Sequence, residues 1–197
     1  MRARLSSLIL LSLVTSAAAQ QVTLQVDPQK TLARFMLDAA LHSVHGSFRA
    51  KAGSLQFDPA SGAISGELVI DAKSGQSGNG MRDRKMHKDV IESDAYPDIV
   101  FRPDRVSGSV APQGKSSVRV HGTIRIHGVD REIEVPVVFE MGTGSWTADV
   151  HFSIPYAKWG MKNPSNLFLR VSDTVEIDLT ASGAVASGGA GGQSPAQ

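Results

Sequence analysis

The groups able to do chemistry are six histidines and a scatter of serines, since the 197-residue chain contains no cysteine. That absence removes disulfides, thiolate metal ligands and cysteine nucleophiles together. His42 and His45 stand three apart in LHSVHGSF, so on an extended strand they face opposite sides. His121 and His127 share a parity but lie six apart on the polar side of a strand, where they read as solvated pair partners. No HExxH or equivalent spacing occurs, so no metal site is expected. Ser43 or Ser47 beside His42 and His45 would be the nucleophile of a hydrolase. However, there is no GxSxG, and a serine next to a histidine in a strand points away from it. No catalytic residue and no cofactor is expected. Gly75, Gly78 and Gly80 before a helix start resemble a phosphate cradle but lack the lysine and spacing of a P-loop, and read as a hinge.

The hinge opens the only long stretch that leaves β patterning, Ser74 to Phe101. Asn79 can cap a helix, Asp83 suits the positive end of its first turn, and Met81 to Glu92 has neither Gly nor Pro. A short helix is therefore expected over 81–92, ended by Tyr96-Pro97. Met86, Val90 and Ile91 give it an apolar side, and Arg82, Asp83, Arg84, Lys85, His87 and Lys88 cover the rest. Such a helix needs an apolar surface to lie on, either as the plug of a filled barrel or as the lid of an open one.

Everything else reads as strands. Val22 to Val26 ends at Asp27-Pro28. Thr31 to Ala40 and Leu41 to Phe48 read as one strand bending at Ala39-Ala40, with Ser54 to Phe57 a separate short piece and Ile64 to Ala72 the next strand. Val118 to Ile126 and Ile133 to Met141 alternate strictly. Pairing Ile126 with Ile133 across a Gly128–Arg131 turn sets Arg125 against Glu134, His127 against Glu132 and Arg119 against Glu140. Trp146 to Ile154, Phe168 to Val171 and Thr174 to Thr180 complete an all-β chain, an eight-stranded antiparallel lipocalin-like barrel with one short helix. Its inward rows carry Phe35, Leu37, Ile64, Leu68, Ile70, Phe101, Ile124, Val135, Val137, Phe152 and Phe168. Gly46, Gly53, Gly66, Gly122 and Ala148 interrupt those rows, which means either close strand approach or open volume.

The ends carry different information. Arg2 and Arg4, the apolar run to Ala18 and Ala17-Ala18-Ala19 make residues 1–19 an expected signal peptide, and no segment reaches the ~20 apolar residues of a membrane span. A domain over 20–182 and a disordered Gly/Ala/Ser-rich tail over 183–197 follow. Removing two arginines from 20 basic residues leaves 18 against 19 acidic ones, a net charge of −1, which does not suit a nucleic-acid surface. Export without disulfides points to the periplasm, with secretion as the alternative.

LHSVHGSF, SGNGMRDRKMH, YPDIVF, the VHGTIRIHGV hairpin, FSIPYAKWG and VEIDLTASG, in that order and spacing, resemble the YceI-like family over nearly all of residues 21–182. The resemblance implies a periplasmic barrel whose tunnel takes an isoprenoid chain, quinone-like or polyprenyl phosphate, for transport, storage or envelope stress protection. It sets the helix segment near the opening, so that Met86 and Val90 join the tunnel rows. His45, Arg82, Arg84 and His87 are then the candidates for holding a head group. Transient membrane contact is compatible with this reading, as is a monomer or a homodimer. Two other readings predict different behaviour: a hydrolase of lipids or esters would lose turnover with His42 or His45, and a stress or surface-interaction protein would have a filled barrel.

Overall fold

The computed structural model describes residues 21–40, 42–165 and 170–187. Strands β1 (Val22–Val26), β2 (Leu32–Leu37), β3 (Val44–Phe57) and β4 (Ile64–Asp71) precede the helix α1 (Gly80–Lys85). Strands β5 (Asp98–Ser107), β6 (Gly114–Ile126), β7 (Val129–Met141), β8 (Ser145–Ile154) and β9 (Val175–Ser187) follow it. All pair antiparallel, in the order β3-β2-β9-β8-β7-β6-β5-β4, and β4 pairs back onto β3 to close a ring of eight. The short β1 lies in the same slot as β2, between β3 and β9, so nine strands make eight staves. Asp27-Pro28 causes the interruption: the Asp27 carboxylate accepts the Gln29 N–H at 2.9 Å and turns the chain out of the sheet before Thr31 re-enters it. Closure leaves no open edge to template aggregation.

Period-two alternation sends the apolar rows inward. Val118, Ile124 and Ile126 on β6, Val135, Val137 and Phe139 on β7, and Trp146, Ala148 and Ile154 on β8 are all buried. Each large side chain so buried contributes about 1.5–3 kcal/mol. Phe139 stacks on Trp146 at 6.0 Å between ring centres. A satellite cluster of Ile126, Ile154, Tyr156 and Met161 packs beneath the β8–β9 link.

The structure departs from the sequence expectations in several places. β2 and β3 are two antiparallel strands, Leu37 opposite Val44, and not one bent strand. Alternation reads the same before and after a reversal, and the reversing link is held by Ser43 donating to Asp38 at 2.6 Å. Ser54 to Phe57 is no separate strand but the end of β3, beyond a bulge between Ala50 and Ala52 that shifts the inward parity. The β6–β7 hairpin pairs Ile126 with Val129, through a two-residue turn in which His127 and Gly128 have φ of 53° and 74°. Ile133 therefore lies opposite Gly122, four residues from the expected register. A four-residue shift keeps parity, so the inward rows stand while the charge pairs change. Arg125 holds Asp130 with two bonds of 2.7 and 2.8 Å, and Arg119 holds Glu134 at 2.6 Å.

β9 runs to Ser187, with Ala184 opposite both Gln25 and Ser145, so residues 183–187 are barrel wall and not tail. Small residues suit that place: a Cβ on Gly183 would lie 1.8 Å from the Gln25 carbonyl oxygen. Residues 1–20 and 188–197, which include the expected signal peptide and the rest of the tail, lie outside the described residues, as does Phe168. Of the strand expected over 168–171, residues 168–169 lie outside the described residues, and Val171 makes a single bridge to Ala39. The helix expected over 81–92 is α1 followed by one π-helical turn, Met86–Val90.

Candidate functional site

β4 ends at Asp71, well before β3 has reached its N-terminal end, which leaves a gap in the wall at one end of the barrel. A turn at Ala72–Ser74, capped by Asp71 accepting the Lys73 N–H at 2.8 Å, starts to fill it. Gln76 then exchanges two backbone hydrogen bonds with Ser47, at 2.8 and 3.0 Å, and extends the wall by one residue. Asn79 caps α1 by accepting the N–H groups of Met81 and Arg82, both at 3.1 Å. The helix and the π-helical turn after it thus lie across the opening, with Met86 and Val90 packed on the core and Ile91 buried where the turn ends.

Inside is a cavity of about 640 Å³. From β2 to β4 it is lined by Phe35, Leu37, Ile64, Leu68 and Ile70. From β5 to β8 it is lined by Phe101, Ile124, Val135, Val137 and Phe152, and the helix adds Met86 and Val90. All twelve expected tunnel residues among those described therefore face one space. Of the small inward residues, Gly46, Gly53, Gly66 and Gly122 mark close approach. A Cβ on Gly46 would lie 2.2 Å from the Phe35 ring, and one on Gly122 2.4 Å from the Arg102 carbonyl oxygen. Ala148 instead lines the open volume.

The polar groups gather at one end. His42, Ser77, Asn79, Arg82 and Lys85 rim the mouth. Tyr156 and Trp146 are buried exceptions, the Tyr156 hydroxyl donating to the Ser172 carbonyl at 2.6 Å and the Trp146 indole N–H to the Gln25 carbonyl at 3.3 Å. Burial, with the Asp173 charge adding to it, pushes that phenol up to about 12. No buried side-chain nitrogen or oxygen among the described residues lacks a partner. The interior therefore offers a ligand apolar contact only, and recognition by polarity is confined to the rim.

The four expected head-group residues separate. Arg82 is at the mouth, but its Nε and one terminal nitrogen already donate to the Ser77 hydroxyl and carbonyl, each at 2.7 Å. Ser77 in turn donates its hydroxyl and its N–H to Asp83, which makes a clasp between hinge and helix. His87 is tied into the frame: one ring nitrogen meets the Gly75 carbonyl at 2.8 Å and the other the buried Ser93 hydroxyl at 3.0 Å. Next to a carbonyl, Nε2 must carry a proton, and Nδ1 is left to pair with the Ser93 hydroxyl. Arg84 is exposed and does not line the cavity. His45 points outward from β3, while His42 stands at the rim. Sequence reasoning missed Met81, Lys85 and His42 as rim residues. The signal was there, because 81, 82, 85 and 86 form one i, i+3, i+4 stripe and 42 shares the inward parity of 44. Ser43 donates to Asp38 rather than to a histidine. Among the described residues no group of three or more His, Asp or Glu could hold a metal ion.

A closed antiparallel barrel with one apolar cavity and a polar rim defines a lipocalin-like architecture. The model of the YceI-like domain matches residues 24–182, and the chain belongs to that family. A UPF0312 protein of Pseudomonas syringae pv. tomato is 25% identical over 149 residues, which cover 71% of this chain and 73% of the relative. One from Pseudomonas putida is 24% identical over the same extent. Among solved structures, BcnA of Burkholderia cenocepacia superimposes with a TM-score of 0.66 at 21% identity, covering 81% of this chain and 99% of that one. A polyisoprenoid-binding domain from Saccharophagus degradans does so with a TM-score of 0.64 at 18% identity, covering 86% and 99%. At these identities the likeness is one of fold.

Proposed function

We propose that the protein is an exported, non-enzymatic lipid binder that holds one isoprenoid chain in the barrel, with the head group at the mouth. The observation that carries this is the cavity: about 640 Å³, apolar throughout, with the polar groups at one end. That volume falls within the ~300–1,000 Å³ of ordinary ligand sites. Burying chain carbons at ~25 cal/mol per Å² supplies the driving force, and the rim has only to orient the head. The Saccharophagus degradans domain, described as polyisoprenoid-binding, supports the choice of isoprenoid over other apolar chains. The sequence features of residues 1–19 support a periplasmic site of action, where a closed tunnel would carry, store or shield a chain that water rejects.

The test is purification without detergent, native mass spectrometry, then organic extraction. A stoichiometric adduct that extracts as a quinone or a polyprenyl species is the expected result. A bare mass that stays bare after mixing with prenyl lipids overturns the reading and returns the barrel to a surface role.

A further inference from the structure

The mouth end differs from the far end in charge and in exposed apolar surface. Over Gly80–Val90 the chain carries Arg82, Arg84, Lys85 and Lys88 against Asp83 and Asp89, a net of +2, and the Glu92 and Asp94 that follow pair with His127 at 3.1 Å and with Lys73 at 2.9 Å. Asp83 is taken up by Ser77, and Asp89 pairs with Lys85 at 3.3 Å. Arg84 and Lys88 are exposed. The β8–β9 link holds exposed Lys158 and Lys162, the latter next in sequence to Met161, which lines the cavity. On that side stand two anions, Asp173, which accepts from Asn163 at 2.7 Å, and Asp38, which accepts from Ser43 at 2.6 Å, against the cations Lys158, Lys162 and Arg170. By contrast, the three turns at the far end, 58–63, 108–113 and 142–144, carry one charge, the negative Asp58. Beside Arg82 and Lys85 on the cavity's edge stands Met81, 73% exposed.

An apolar side chain ringed by cations is complementary to an anionic bilayer, whose surface attracts basic residues and whose acyl boundary receives the apolar one. We propose that the mouth end is a docking surface for anionic membranes, with α1 lying on the headgroups and Met81 reaching below them. A chain would then pass between bilayer and cavity without crossing water. This last step rests on the mouth serving a membrane-derived chain, but the docking itself does not depend on what fills the cavity.

Flotation of ligand-free protein at low salt, with phosphatidylcholine vesicles alone or containing phosphatidylglycerol, tests it. The protein is expected to float with the anionic vesicles and not with the neutral ones, and added salt should release it. A basic residue near an anionic surface contributes about five-fold, so Arg84→Gln with Lys88→Gln should lower partitioning about 25-fold. Met81→Asp should also lower it, and Lys115→Gln at the far end should not. Equal partitioning to both vesicles, none to either, or no change in the double variant overturns the proposal. A prenyl thermal shift on the same samples separates the two readings. A protein that binds prenyl chains but floats with neither vesicle has a cavity without a docking surface, and one that floats but binds no chain has the reverse.

Discussion

At the scale of single residues, the same small side chain means different things at different places in the wall. Gly46 is filled around by the Phe35 ring and the Gln76 carbonyl, whereas Ala148 faces open volume. Gly46→Ala should therefore destabilise by overpacking, about 1–3 kcal/mol, visible as a lower urea midpoint at unchanged slope. Ala148→Leu should leave that midpoint nearly where it is and weaken prenyl binding by occupying the tunnel. Equal effects of the two on stability would contradict the cavity as described. At the rim, two nitrogens of Arg82 are committed to Ser77, whereas Lys85, paired with Asp89 at 3.3 Å, keeps two of its three ammonium donors for an anionic head. Lys85→Gln should weaken a prenyl phosphate roughly 10-fold, about 1.4 kcal/mol, and leave a quinone unaffected in paired titrations.

Elements respond through the links that fasten them. The β6–β7 hairpin is clamped at its turn by Arg125, and the hydrogen bond it gives Asp130 holds that carboxyl below the usual range. A depressed carboxyl stabilises the fold above its unfolded pKa, roughly 3.9, and loses that contribution as pH falls through its folded value. The melting temperatures of the native chain and of Asp130→Asn should accordingly differ at neutral pH and converge in strong acid. The β8–β9 link behaves oppositely, because the Tyr156 phenol is raised, from about 10 to about 12. Its contribution is complete below pH ~10 and is lost as pH climbs to ~12, since the unfolded chain ionises first. Tyr156→Phe should be less stable at neutral pH, for want of the bond to Ser172, yet should lose less further stability over that alkaline interval. Thermal scans across pH read both slopes.

For the molecule as a whole, a ligand held only by the closed barrel must stabilise it. At one hundred times its dissociation constant a prenyl ligand should add about 2.7 kcal/mol. In a domain of this size that is a rise of roughly 5–10 °C in melting temperature. A saturated alcohol of similar length but without branching gauges how far the cavity selects isoprenoid shape. No rise with any apolar chain would show that the space does not accept ligands in solution.

Alternation of apolar and polar residues determined that the chain makes a barrel and which side chains face inward, and helical spacing determined that the segment 80–91 lies on it by Met86, Val90 and Ile91. These are consequences of local periodicity, and periodicity survives a register shift of an even number of residues, which is why the inward rows of β6 and β7 stood although Ile126 pairs with Val129. The resemblance carried by SGNGMRDRKMH and its neighbours placed the helix near the opening. Tertiary structure alone decided the rest. The reversal at 38–43, the slot that β1 shares with β2, and the extension of β9 to Ser187 depend on which strands meet, and strand patterns do not encode their partners. Whether Gly46 or Ala148 opens space depends on what stands across the barrel. Which cations remain for a ligand depends on which are already bonded, so Arg82 and His87 read alike in sequence although His87 is fastened into the frame and Arg82 stands at the mouth, clasped to Ser77. Periodicity acts between neighbours along the chain, but a cavity and its rim are made by residues far apart in it.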